Sequence, residues 1–303
     1  MQNKNRALIY ALITVAIWGT AATASKLMLK NISNFQLMFY VALFATISTF
    51  GILFFTRKIK SSYILFKENW SIILLLGIIG SGIQQFFYFT ALANGPTAQI
   101  NVLNYMWPIF MLLLSVFILK EKLSFKIIIS FLLGIIGVYI VITRGQFFSF
   151  QIQYLYAYLL ALGGAFCWAL FSILNKTKNY EPISSVFLFN LVGLIFMTLV
   201  MLFTNSSFNV PFNQLIGSFY IGLFPTTIAL ILWVKALQIG KASFIANLGH
   251  LTPFISLVFI FIILREKILL SEIIGLIVIV SGILLYSLKS TVSPKLPESK
   301  SSS

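Results

Sequence analysis

Stretch after stretch of this chain offers about twenty apolar residues in succession, the length at which an α-helix crosses about 30 Å of hydrocarbon. Such runs constrain the fold severely, because a backbone in lipid must satisfy its own hydrogen bonds and does so as a helix or a closed barrel. Apolar residues make up 59% of the 303 positions and charged residues 9%. One buried core cannot use that excess. The sequence therefore predicts an all-α polytopic membrane protein, with ten transmembrane helices at residues 7–29, 35–56, 70–93, 97–119, 125–143, 154–175, 183–204, 214–237, 243–264 and 269–288. Lys4 and Arg6 before the first run resemble a signal peptide, but the run is long and holds Lys26 near its end, so it reads as a retained helix.

A net charge of +15 raises the question of nucleic acid, yet the basic residues stand singly or in twos and threes at the ends of apolar runs, and no nucleic-acid partner is expected. Of the 21 Lys and Arg, 16 fall on the side holding the N-terminus and the 2/3, 4/5, 6/7 and 8/9 connections, and 5 on the other. The positive-inside rule then puts both termini in the cytoplasm of a multi-pass protein of the cytoplasmic (inner) membrane. All six acids are Glu, with one His and one Cys, so a Ser-His-Asp triad and a multi-Cys metal site are excluded, and neither enzyme activity, cofactor nor metal is expected.

The two halves repeat. An offset of 145 pairs Ala91 with Ala236, Gly95 with Gly240, Pro108 with Pro253, Glu121 with Glu266 and Gly137 with Gly282, while an offset of 150 pairs Trp18 with Trp168 and Lys26 with Lys176. The division is a first five-helix repeat over 1–148, a second over 149–289 and a disordered tail over 290–303. Five is odd, so the second repeat enters the membrane from the opposite side. Inverted repeats of this kind are common in secondary transporters, whose substrate site lies near the midplane between the halves.

Polar side chains at membrane depth usually face a cavity or another helix. In the fourth run Asn101, Asn104, Tyr105 and Pro108 follow helical spacing, with Trp107 beside Asn104. Pro108 and Pro253 each remove a backbone donor in mid-span and are read as hinges, with Asn247 and His250 before the second. Such amides also glue helices together, and a lone intramembrane His can be a neutral helix–helix contact, so both readings stand. Trp18, Trp168, Tyr88 and Trp233 lie within spans rather than at the interfacial belt, and they wall a substrate or fill a core. Gln84 and Gln85 lie a turn before Tyr88. The repeat sets Tyr105 against His250 and Trp107 against Thr252, an aromatic wall facing a polar one. The Lys120-Glu121-Lys122 and Arg265-Glu266-Lys267 runs at span ends read as topology anchors, with each Glu favouring the start of the next helix.

Ten spans, a five-plus-five repeat, an early Trp in each half and the Ala-Leu-x-x-Gly … Pro … Glu-Lys run near the end of each half resemble the EamA family of the drug/metabolite transporter superfamily. The run Asn104-Tyr105-Met106-Trp107-Pro108 is similar to one in that family's aromatic amino acid exporters, with Met106 in place of Leu. The resemblance implies a basket around a central cavity formed by spans one, three, four, six, eight and nine. Tyr88, Tyr105, Trp107 and Trp168 would line it. It implies export of neutral, aromatic amino acids, and of Met, by a protein whose surroundings are the lipid bilayer. The expected partner is thus a small molecule, bound by a monomer or homodimer. Alternatives are efflux of a purine or lipophilic drug by the same fold, or a non-transporting membrane scaffold.

Overall fold

A computed structural model describes residues 2–120, 123–146, 151–178, 180–239 and 248–287. Among these residues every regular element is helical. The helices are α1 (Gln2–Met28), α2 (Asn34–Phe55), α3 (Ile59–Asn94), α4 (Thr97–Ile118) and α5 (Phe125–Ile142). The second half holds α6 (Leu155–Lys176), α7 (Pro182–Phe203), α8 (Phe212–Trp233), α9 (Thr252–Leu264) and α10 (Leu270–Ser287). The first eight are long and apolar enough to cross a membrane, and the last two are shorter apolar helices. Residues 240–247, which include the expected site residue Asn247, and 290–303, the expected tail, lie outside the described residues, as do Glu121 and Lys122.

Local chemistry sets the ends. Ser33 Oγ accepts the Gln36 N–H while Gln36 Oε1 accepts the Ser33 N–H, a reciprocal cap on α2. Glu181 caps α7 by accepting from the N–H groups of Ile183 and Ser184, ahead of Pro182 in the first turn. The third expected span, at residues 70–93, belongs to a longer helix: α3 is already helical from Ile59 and kinks at Asn69, where φ is −133° and ψ 25°. Polar Lys60, Lys67 and Glu68 masked that first stretch in hydropathy, although nothing in it breaks a helix.

The halves match in packing as well as sequence. α1 packs on α8 and α9, and its counterpart α6 packs on α3 and α4. Likewise α3 packs on α7 and α8 on α2, while α2 with α7 and α5 with α10 form pairs of counterparts. Exchanging the halves leaves this arrangement unchanged. Backbone irregularities repeat too. Left-handed residues end α4 at Lys120 and α9 at Arg265, and follow α2 at Arg57 and α7 at Asn205. Turns of π-helix interrupt α3 at Ile78–Ile83 and α8 at Phe224–Ile228, just past the repeat-related Gly77 and Gly222. Both glycines are needed for contact: an added Cβ would lie 2.6 Å from the Val192 side chain at Gly77, and 2.8 Å from the Val41 carbonyl at Gly222.

Candidate substrate site

α4 is broken at its centre. Regular helix stops at Asn104, Tyr105 and Met106 form a turn, and helix resumes at Trp107 with Pro108 in its first turn. Pro108 has no N–H, so the Asn104 carbonyl loses its helical donor. Three-residue bonds close the gap, Tyr105 N–H to Val102 O and Met106 N–H to Leu103 O at 3.0 Å each, and the α-helical ladder resumes with Phe110 N–H to Met106 O at 3.1 Å. α9 begins with the same device. Leu251 N–H donates to Leu248 O at 3.0 Å and Ile255 N–H to Leu251 O at 3.1 Å, each bond 145 residues on from its counterpart.

Around these breaks stand polar atoms with no partner. Asn101 is buried with Nδ2 unpaired, and Asn104 Oδ1, Gln85 Oε1 and Ser256 Oγ are likewise unpaired and buried. A buried polar atom left unpaired costs about 1–3 kcal/mol. Several on helices that meet at two broken segments are a concentration that calls for an explanation, and polar ligand binding supplies one. The Tyr105 phenol is within electrostatic reach of that of Tyr88 and near the Thr252 hydroxyl. Tyr105 thus meets Thr252 across the repeat. Among the described residues His250, its sequence counterpart, has no recorded side-chain bond and is half-buried.

The tryptophans divide into two groups. Trp18 donates its indole N–H to the Pro225 carbonyl at 3.0 Å, in the π-turn of α8, and its ring lies 5.3 Å from that of Trp233 at 51°. Gly249 lets α9 approach, since a Cβ there would stand 3.0 Å from the Trp233 ring. Trp168 lies one turn beyond Gly164, whose absent side chain would meet the Gln84 carbonyl and Tyr88 N at 3.5 Å. Phe171 crowds Gly80, so Trp168 sits level with Gln84. Trp107, with Tyr88, packs against the main core. These four tryptophans are half-buried, as are Gln84, Gln85, Tyr88, Asn104 and Tyr105, whereas Asn101, Pro108 and Pro253 are buried. Asn190 in α7, buried with Nδ2 unpaired, and Ser256 were missed by sequence reasoning; their polarity in mid-span was the available signal.

A family model described as the EamA-like transporter family matches residues 5–143 and 155–288. The chain belongs to the EamA-like transporter family. It is 27% identical over 244 residues to an uncharacterized transporter, YyaM, of Bacillus subtilis, covering 77% of each chain. It is 25% identical over 191 residues to the aromatic amino acid exporter YddG of Ancylobacter novellus, covering 63% of this chain and 66% of that one. A solved crystal structure superposes with a TM-score of 0.68 at 21% identity, over 94% of this chain and 97% of the other, which establishes a shared fold.

At one end of this EamA-like transporter, charges left on span ends by hydropathy are drawn inward. Lys26 Nζ donates to Leu92 O at 2.6 Å and Gly95 O at 3.0 Å, placing a cation at the C-terminal end of α3, where the helix dipole favours it. Thr97 Oγ1 donates to Glu266 Oε1 at 2.6 Å. The expectation that Glu266 serves its own following helix is therefore corrected. Glu272 takes that role by accepting the Leu269 N–H at 2.9 Å, while Tyr158 donates to Gln99 nearby. Glu266 precedes α10 by a full turn, too far to reach its free N–H groups, and turns to α4 instead.

Proposed function

We propose that this protein is a secondary transporter of the cytoplasmic membrane that exports neutral, aromatic amino acids by alternating access, with both termini cytoplasmic. The observation that carries the reading is the group formed by the Tyr105 and Tyr88 phenols with the Thr252 hydroxyl, set among the unpaired amides of Asn101, Asn104 and Gln85. Aromatic faces bind a ring by offset or edge-on stacking, and amides and hydroxyls meet an amino group and a carboxylate. The freed carbonyls at Pro108 and Pro253 add acceptors for an ammonium. Among the described residues the charged side chains stand toward helix ends, so a zwitterion of zero net charge suits the middle better than a phosphate or a cation. The similarity to an aromatic amino acid exporter supports the same substrate class.

In this reading α1, α8 and α9 form one wall and α3, α4 and α6 the other, and rocking of one wall against the other exposes the site to each side in turn. Pro108 and Pro253 are the hinges. Counterflow of radiolabelled Phe, Tyr, Trp and Met into proteoliposomes tests the proposal. Exchange of at least the three aromatic substrates is expected, and no exchange of any of the four would overturn it. Exchange of purines or lipophilic cations instead would assign the fold to another substrate.

A further inference from the structure

The first ten residues of α3 are set off from the rest of the helix by a kink. Asn69 leaves helical geometry and separates Ile59–Glu68 from the apolar stretch that follows, and the Tyr180 O–H donates to Asn69 Oδ1 at 3.2 Å. This short helix has three faces. Its inner face is fixed to the protein, with Ser62 buried and Leu65 packed beside Ile73, Leu188 and Val192. Successive helical residues turn by about 100°. Phe66, Ile59 and Tyr63 therefore occupy one narrow arc, and Lys67 and Lys60 the arc directly beside it. The apolar arc faces outward: Phe66 is 40%, Ile59 44% and Tyr63 67% exposed. Arg57 precedes the helix, and Trp70, 57% exposed, follows the kink where the crossing begins.

An exposed aromatic arc bordered by lysines suits the plane where acyl chains give way to headgroups. There rings and a Trp are stable, and lysine stems lie along apolar surface with their ammonium groups among phosphates. We propose that Ile59–Glu68 lies in the membrane surface and binds anionic phospholipid headgroups, with Tyr63 and Phe66 immersed and Lys60 and Lys67 on lipid phosphate. The charge balance favours anionic over zwitterionic lipid: Arg57, Lys60 and Lys67 stand on the exposed side against one exposed carboxylate, Glu68. On the protein side Lys58 is already paired with Glu181 at 2.6 Å. The proposal does not depend on the substrate assignment.

The full chain, with Cys167→Ser to remove its own thiol, is reconstituted in phosphatidylcholine vesicles containing phosphatidylglycerol. A spin label is placed at Tyr63→Cys or, separately, Glu68→Cys. Depth from oxygen and nickel-chelate accessibility should put the label at 63 about 5–10 Å into the headgroup–acyl boundary, and that at 68 in water. Native mass spectrometry should show phosphatidylglycerol retention falling roughly five-fold for each of Lys60→Gln and Lys67→Gln, at unchanged Tm, with Lys126→Gln as control. A water-accessible label at 63 would overturn the surface placement. Equal retention by the Lys60→Gln/Lys67→Gln double variant and the parent would overturn the headgroup assignment.

Discussion

Thr97 Oγ1 donates to Glu266 Oε1 at 2.6 Å, so the first residue of α4 is bound to a carboxylate 169 positions later, in the other half of the chain. Bonds to charged groups contribute about 1.5–3 kcal/mol, and partial solvent exposure brings this one toward the lower end. Thr97→Val and Glu266→Gln should each lower Tm in detergent, and the double variant should lose less than the sum. Full additivity in a thermal-shift cycle would mean that the two residues act separately.

Trp18 is held by its N–H on Pro225 and by the Trp233 ring. Trp18→Phe keeps aromatic contact and leaves the carbonyl without its donor, so a loss of about 1 kcal/mol is expected. Trp18→Ala, which removes the packing as well, should cost about 3–5 kcal/mol. Equal melting of the two variants would show that the indole bond carries the contribution.

Small residues let α5 and α10 touch. A Cβ at Gly137 would lie 2.7 Å from the Gly275 carbonyl, and one at Gly275 2.8 Å from the Gly137 carbonyl, atoms that cannot rotate away. Gly137→Ala and Gly275→Ala should each destabilise by about 1–3 kcal/mol. At Gly51 nothing lies within 4 Å of an added Cβ, and Gly51→Ala should be neutral or stabilising by up to about 1 kcal/mol. Size-exclusion profiles after heating separate these outcomes.

The proposed site predicts a graded pattern in substrate exchange. Asn104→Ala and Tyr105→Phe should raise the half-saturating concentration of Phe roughly ten-fold, the effect of about 1.4 kcal/mol. Lys126→Gln should leave it unchanged. His250→Gln should keep downhill transport, because His250 has no recorded side-chain bond among the described residues and the Tyr105 phenol meets Thr252 instead. Collapse of His250→Gln at every pH, in folded protein, would give His250 a larger part.

At the opposite end, burial would raise the Glu181 carboxyl, but Lys58 and the hydrogen bonds from Ser184 and Ile183 outweigh it and hold it below the ordinary carboxylate value of 4.5. A depressed carboxylate adds stability above its unfolded pKa and loses it as pH falls through the folded one. The Lys58–Glu181 contribution should therefore be constant at neutral pH, begin to fall where the unfolded carboxyl titrates and be lost as pH drops through the lower folded value. With the pair partly solvated, its size is under about 1 kcal/mol. Lys58→Met should flatten this acid limb of the Tm profile.

The breaks in α4 and α9 were legible because proline cannot donate a backbone bond wherever it stands. The π-turns were not: Gly77 to Ile83 contains no proline, and the same interruption in α8 does, so no common residue announces it. Glu266 was legible as a span end and read as an anchor, and Lys26 only as a charge near the end of the first run, since their partners, Thr97 and the carbonyls of Leu92 and Gly95, come from helices distant in sequence.

Hydropathy and the repeat determined the helical class, the duplication and the residues unusual enough to form a site, because solvation in lipid and backbone donor loss act on each residue where it stands. Only the tertiary structure decided that the Tyr105 phenol comes near the Thr252 hydroxyl, that Trp18 is bonded to Pro225, and that residues 59–68 form a helix set off by the kink at Asn69. Those outcomes depend on which helices approach one another and at what height. Close contacts between helices of the two halves, through Gly137 and Gly275 or Gly222 and Val41, fix that approach.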